Sequence, residues 1–116
     1  MIVKNPLAIG IDIVDICRFN KYTKNDLFLR KNFSRYELNY CFAFKDPAPH
    51  LAGIFAAKEA VCKSLHKKIF QSSIRIIHNE NGKPIASLAK KILSSISLSI
   101  SHSEKSAVVV AINYEL

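Results

Sequence analysis

A short segment of the chain, FAAKEAVCK at residues 55–63, places one acidic side chain between two lysines. Glu59 and Lys63 are four residues apart and so lie on the same face of a helix, with Lys58 at the edge of that polar strip. The opposite face would hold the helix against a core through Leu51, Phe55, Val61, Cys62 and Leu65. A rigid helix of this kind could bind a metal ion and a phosphate together, or it could carry an ordinary surface salt bridge.

Asp12 supplies a second carboxylate, on a segment that reads as a strand. Apolar residues alternate through residues 7–16, and the face that carries Asp12 also carries Gly10, where a ligand could approach closely. Magnesium commonly takes one or two protein carboxylates and completes its shell with water and phosphate oxygens. Asp12 and Glu59 would form such a site if the strand packs against the helix. Spacing alone leaves two other readings open, namely two unrelated solvated acids or a buried ion pair.

The helices that must position these residues have recognisable ends. A short basic helix is predicted from Arg18 to Lys24, and Ser34 with Glu37 forms a capping box at the start of a helix that runs to about Phe44. The helix that carries Glu59 is predicted over residues 50–67, after the proline-rich break at residues 46–49.

The sequence of the second half of the chain predicts mainly strands. Residues 74–77 and 85–88 flank a strong turn at residues 79–84, and a short helix is predicted over residues 89–93. Serines alternate with apolar residues and His102 through residues 95–103, and a nearly continuous apolar run follows at residues 107–112. The two segments predict adjacent antiparallel strands joined by a tight turn. The expected architecture is α+β, an antiparallel sheet packed with helices, in a single domain of residues 1–116.

Composition narrows the classes of partner. The net charge is +8, which favours a phosphate-rich ligand, nucleic acid, an anionic membrane or an acidic protein. No apolar run approaches the roughly 20 residues of a membrane span, so we expect no membrane-spanning segment. The three cysteines are widely spaced among apolar neighbours, which predicts reduced thiols in the core of a cytoplasmic protein.

His102 is the remaining residue that could take part in chemistry. It occupies the apolar phase of its predicted strand, which suits either a packed histidine or one at the strand end that contacts a phosphate or a hydroxyl. No GxSxG motif indicates a covalent nucleophile, and no Walker loop is present. The final strands carry no aromatic residue before Tyr114, which argues against a nucleic-acid module.

Four blocks of sequence together resemble a known family. They are IGIDIVDICRF at residues 9–19, LAGIFAAKEAVCKSL at 51–65, NENGKP at 79–84 and LSISHSEKSAVVVAI at 98–112. In this order and spacing they resemble the holo-acyl-carrier-protein synthases, the small bacterial class of 4′-phosphopantetheinyl transferases. The resemblance implies the phosphopantetheinyl transferase fold and the transfer of 4′-phosphopantetheine from coenzyme A to a serine of apo-acyl carrier protein, which serves fatty acid biosynthesis. The reaction would release adenosine 3′,5′-bisphosphate.

The same resemblance implies roles for individual residues. Asp12 and Glu59 would bind Mg²⁺, and Lys58 and Lys63 would lie near the coenzyme A phosphates. The nucleotide would be framed by a turn and a strand end, contributed by Gly82, Lys83, Pro84, Ser101 and His102. A basic helix with Arg18, Lys21 and Lys24 would dock the acidic carrier protein. The family is typically a homotrimer with active sites at subunit interfaces.

Catalysis is expected to rest on Glu59 and Lys63. Lys63 would stabilise the leaving phosphate as a point charge, and a metal-associated water oriented by Glu59 is the preferred acceptor of the serine proton. His102 competes for that role, although binding suits it better. The chain departs from many relatives at Ile54, where they carry arginine, and at His66, where they carry glycine. The alternatives are a basic nucleic-acid-binding module without catalysis and a non-catalytic homologue that still binds coenzyme A.

Overall fold

Alternating residues near the start of the chain form strand β1, Ala8–Asp15, in the computed structural model, which describes residues 7–114. Strand β1 pairs antiparallel with β6, Ser106–Asn113, and β6 pairs antiparallel with β5, Ile96–His102. The first sheet therefore has the order β1-β6-β5. The antiparallel pairing predicted for the last two strands is confirmed.

A second, smaller sheet replaces the single sheet that the sequence predicted. It has the order β2-β3-β4, with β2 at Ile74–His78, β3 at Pro84–Leu88 and β4 at Lys91–Ile92. The β2–β3 hairpin is confirmed, but the helix predicted over residues 89–93 is wrong. Ala89 and Lys90 have φ values of 51° and 66°, and this left-handed pair turns the chain back as β4.

The three α-helices are α1 at Leu27–Asn32, α2 at Arg35–Phe42 and α3 at Ala48–Ser64. The capping box is confirmed, because the Ser34 N–H donates to Glu37 Oε1 at 2.8 Å and the Glu37 N–H donates to Ser34 Oγ at 3.1 Å. Helix α3 begins two residues earlier than predicted and ends three residues earlier.

The basic helix predicted from Arg18 to Lys24 is wrong. Only Ile16–Phe19 is helical, as one 3₁₀ turn, and α1 begins further along the chain. The Thr23 N–H donates to Asp26 Oδ2 at 2.6 Å, and a side chain that binds nearby backbone in this way competes with helical hydrogen bonds.

Helix α3 lies at the centre of the fold, packed against β1, β5 and β6 of the first sheet and β2 of the second. The closest approach is at Gly10, where an added Cβ would lie 1.8 Å from the Ala60 carbonyl oxygen. The space that the sequence suggested for a ligand is therefore filled by α3. This contact places Asp12 beside the polar positions of the helix.

The described residues form one domain, as predicted, although the predicted bounds of 1–116 also include residues 1–6 and 115–116, which lie outside the described residues. Within residues 7–114, no helix is long and apolar enough to cross a membrane. All three cysteines are free. Cys41 is buried, which raises the pKa of its thiol to about 12, whereas Cys17 is exposed and so does not lie in the core as predicted.

Candidate active site

Asp12, Glu59 and Lys63 converge where β1 crosses α3. Lys63 Nζ lies 3.2 Å from Asp12 Oδ1 and donates a hydrogen bond to the Ile11 carbonyl oxygen at 2.9 Å. Glu59 precedes Lys63 by one helical turn. Burial and then the Asp12 carboxylate hold the pKa of Glu59 above its ordinary value, while Lys63 opposes them. The strand does pack against the helix, which is the condition that a two-carboxylate site requires.

Lys58 lies elsewhere. Its side chain is buried, with Nζ at 2.5 Å from Glu37 Oε1 and at 2.7 Å from the Asn32 carbonyl oxygen. Burial lowers the pKa of Lys58, and Glu37 partly offsets this effect. The predicted placement of Lys58 beside Glu59, facing a phosphate, is therefore corrected, because the adjacent position on a helix points about 100° away.

Asp12 and Lys63 border a cavity on the outer face of the first sheet. A cavity of about 270 Å³ is lined there by Ile11, Asp12, Ile13, Lys63 and Val108. Lys63 is partly open to solvent, with 53% of its side chain exposed, whereas only 18% of the Asp12 side chain is exposed. The charged groups thus border an apolar surface.

A separate cleft contains part of the predicted nucleotide site. Its volume is about 250 Å³ and its lining residues are Tyr40, Pro49, His50, Gly53, Ile54, His78, Gly82, Pro84, Ile100 and His102. Of the five residues predicted to frame a nucleotide, Gly82, Pro84 and His102 lie here, whereas Lys83 and Ser101 are exposed and do not line it. His102 keeps the phase of Ile100, yet it is exposed at the end of β5, so the packed-histidine reading is wrong.

Sequence reasoning did not select three other residues of this cleft, Tyr40, His50 and His78. His50 follows Pro49 at the start of α3, and His78 ends β2 just before the turn at residues 79–83. Neither histidine belongs to a motif with a fixed spacing. His78 directly precedes the predicted turn, and His50 directly follows the proline-rich break at residues 46–49. These positions were the one available indication.

The predicted carrier-protein residues are all exposed, but they do not share one helix, because Arg18 lies in the 3₁₀ turn Ile16–Phe19 and Lys21 and Lys24 lie in the turns that follow. The Arg18 guanidinium lies 5.4 Å from the centre of the Phe55 ring, and Lys21 Nζ lies 5.3 Å from that of Tyr22. Lys24 lines a cavity of about 480 Å³ together with Arg30 and Arg35, and no carboxylate of the described residues lines it. This end of the molecule therefore carries a concentrated positive charge.

Comparison with known proteins identifies the family. The model of the 4′-phosphopantetheinyl transferase superfamily matches residues 8–112. The chain belongs to this superfamily. It is 41% identical over 113 residues to the holo-[acyl-carrier-protein] synthase of Chlorobaculum parvum, covering 91% of this chain and 97% of the relative. The synthase of Caldanaerobacter subterraneus is also 41% identical, over 118 residues, covering 91% of this chain and 93% of the relative.

Solved structures of the superfamily share the fold. The holo-[acyl-carrier-protein] synthase of Helicobacter pylori, in complex with coenzyme A, has a TM-score of 0.74 and 34% identity, covering 89% of this chain and 96% of that one. The Bacillus anthracis enzyme, in complex with CoA (3′,5′-ADP), has a TM-score of 0.75 and 30% identity, covering 94% of this chain and 96% of that one. The predicted family, the α+β fold and the assignment as a phosphopantetheinyl transferase are confirmed.

Proposed function

We propose that this chain transfers 4′-phosphopantetheine from coenzyme A to a serine hydroxyl of an apo-acyl carrier protein, in a Mg²⁺-dependent reaction. The convergence of Asp12, Glu59 and Lys63 where β1 meets α3 carries the proposal. The coenzyme A complexes of the Helicobacter pylori and Bacillus anthracis enzymes support the choice of donor. The cytoplasm stays the predicted location.

The transfer replaces one phosphorus–oxygen bond by another. The serine oxygen bonds to the phosphorus that carries pantetheine, and the bond from that phosphorus to the bridging pyrophosphate oxygen breaks. Adenosine 3′,5′-bisphosphate leaves with the bonding electron pair, and the serine proton passes to water. Lys63 neutralises charge on the leaving phosphate, and a ligand can reach this lysine because 53% of its side chain is exposed.

Glu59 is suited to orienting the water that accepts the proton. Burial and Asp12 raise the pKa of its carboxyl in the free protein. With Mg²⁺ bound, the carboxylate would stay ionised and could accept a hydrogen bond from that water. His102 lies in the separate cleft and is assigned to binding the nucleotide. His50 lines that cleft nine residues before Glu59 on α3, a separation of about 14 Å along the helix.

Asp12 and Glu59 have the donor set that Mg²⁺ prefers. Asp12 raises the pKa of Glu59, and a divalent cation held by both residues would offset the repulsion between the two carboxylates. Residues 7–114 contain no group of three or more His, Cys, Asp and Glu side chains arranged to hold a metal. The protein would thus supply two oxygen ligands and leave the other positions to water and phosphate. Bound Mg²⁺ would neutralise charge on the pyrophosphate.

We further propose that the chain acts as a homotrimer. Three isoleucines on the outer face of the first sheet are exposed, Ile9 to 63%, Ile11 to 59% and Ile13 to 66%. Their partners across the strand pair on β6 are also apolar, namely Ile112, Val110 and Val108. An exposed apolar patch of this kind marks an interface. Because the cavity beside Lys63 opens onto this face, a second subunit would complete the site. Light scattering after gel filtration should give a trimer, and Ile11→Asp should give a monomer; a monomeric native protein would contradict this.

Mass spectrometry of the carrier protein tests the transfer. Incubation with coenzyme A, Mg²⁺ and apo-carrier should add the mass of phosphopantetheine to the carrier. Glu59→Gln should abolish the shift with the fold retained, whereas Glu104→Gln, an exposed carboxylate in the turn before β6, should leave it unchanged. No shift with any cognate carrier would overturn the proposal, and full activity of Glu59→Gln would remove Glu59 from the mechanism.

The acidic carrier should bind through Arg18, Lys21 and Lys24, so the rate of transfer should fall with added salt.

A further inference from the structure

Three imidazoles meet in the cleft between β2, α2, α3 and the end of β5. They belong to His50, His78 and His102, and among residues 7–114 no lysine, arginine or carboxylate joins them in the lining. Histidine is therefore the one residue type of the lining that can change charge near neutral pH. Coenzyme A carries several phosphate charges, and a site for one of them requires a cation or a set of hydrogen-bond donors.

Aromatic neighbours fix two of these rings in place. The His50 ring stacks on Phe44 with centroids 3.5 Å apart and an interplanar angle of 11°, and the His78 ring stacks on Tyr40 at 4.0 Å and 18°. The centroids of His50 and His102 are 6.4 Å apart. An arrangement held by stacking leaves the nitrogen-bearing edges of the rings to make polar contacts.

The surroundings of His50 and His78 favour the neutral form of both imidazoles in the free protein. Burial lowers the pKa of His50. The neighbouring His102 and His78 lower that pKa further, whereas Asp46 raises it. Burial also lowers the pKa of His78, against the opposing charge of the buried Glu37. His78 Nδ1 is buried without a hydrogen-bond partner among the described residues. Two tyrosines also lie beside His78. The Tyr36 hydroxyl accepts from the backbone N–H of His78 at 3.2 Å, and the Tyr40 ring stacks on the His78 ring.

We propose that His50, His78 and His102 bind a phosphate group of coenzyme A in this cleft, and that His50 and His78 take up a proton on binding. The inference rests on the proposed function and extends it to His50 and His78, which lie outside the four sequence blocks. A dianion placed among the rings stabilises the charged form of His50 and His78 and so raises their pKa in the complex. Binding then draws a proton from solution, and affinity falls as pH rises through the interval between the free and bound pKa values.

Calorimetry with adenosine 3′,5′-bisphosphate measures the uptake directly. Titration in two buffers of different ionisation enthalpy should show net proton uptake per ligand. The dissociation constant should rise by up to tenfold per pH unit for each proton linked, above about pH 7. The phosphate of the ligand loses its own last proton near about pH 6, which acts in the opposite direction. Weakening above neutral pH therefore belongs to the protein.

Variants assign the uptake to the cleft. His50→Gln with His78→Gln should flatten the pH dependence, while His66→Gln, an exposed histidine outside the cleft, should leave it unchanged. If the 3′-phosphate is the group bound, the dissociation constant of a ligand that lacks this phosphate should not vary with pH.

Three results would overturn the inference. They are tight binding that does not vary with pH, no proton uptake by the native protein, and an unchanged pH slope in the double variant. The first would indicate that the cleft holds the adenine ring, and it would leave the transferase proposal intact. Absence of any binding together with absence of transfer would overturn the proposed function itself. The native protein alone decides the first two results, so the inference stays testable even if the double variant does not fold.

Discussion

Replacing Lys58 by methionine should lower the free energy of unfolding by about 3–5 kcal/mol, because it leaves the charge of Glu37 buried without its partner. Both side chains are shielded from solvent, with exposures of 1% and 0%. The pair joins α3 to α2, and Glu37 Oε2 also accepts the N–H of Ile76 on β2 at 2.6 Å. One carboxylate thus links three elements.

The loss should lie near the lower end of that range, about 3 kcal/mol. Glu37 would retain two charge-assisted hydrogen bonds, from the Ser34 and Ile76 N–H groups, which continue to stabilise its carboxylate. Against this, the Asn32 carbonyl oxygen would lose its hydrogen bond from Lys58. The pair Glu37→Gln with Lys58→Met removes both charges, so the double variant should cost less than the sum of the two single variants.

Urea denaturation at a fixed protein concentration measures these differences, since an oligomer gains stability with concentration. Lys67→Met, at an exposed lysine, is the matched control and should change stability by no more than about 0.5 kcal/mol. A domain of this size is stable by roughly 5–15 kcal/mol, so a loss of about 3 kcal/mol is readily resolved. A cost below about 1 kcal/mol for Lys58→Met would refute the reasoning, because it would mean that the pair is open to water.

Three further perturbations test the packing and the charges. Gly10→Ala should prevent β1 from packing on α3, because its Cβ would lie 1.8 Å from the Ala60 carbonyl oxygen; a thermal midpoint equal to that of the native protein would contradict this. Ser34→Ala should cost about 1 kcal/mol in urea denaturation through loss of the capping box, and a neutral result would argue against it. The lowered pKa values of His50 and His78 mean that the unfolded chain binds more protons just below pH 6.5, so the free energy of unfolding should rise with pH up to that value and then level off. His50→Gln with His78→Gln should reduce this slope, and an unchanged slope would assign it to other groups.

Several local features of the fold could be predicted from the sequence because neighbouring residues determine them. The alternation in β1 and β5, the apolar run of β6 and the capping box at Ser34 are set by residues within a few positions of one another. Other local features were missed for the same kind of reason. Nothing in the types of Ala89 and Lys90 indicates a left-handed turn, and the Thr23–Asp26 hydrogen bond displaced a basic helix that composition favoured.

The sequence by itself determined the family, the α+β class and the two carboxylates with their lysine, because these follow from residue types at fixed spacing. The tertiary structure decided which lysine joins the carboxylates. Lys58 and Lys63 are five residues apart on α3, yet one is drawn inward by the buried Glu37 on α2 and the other is held at the surface by Asp12 on β1. The histidine cleft likewise exists only after folding, since His50, His78 and His102 come from three elements that are distant in the chain. Long-range packing sets these contacts, and no local pattern encodes them.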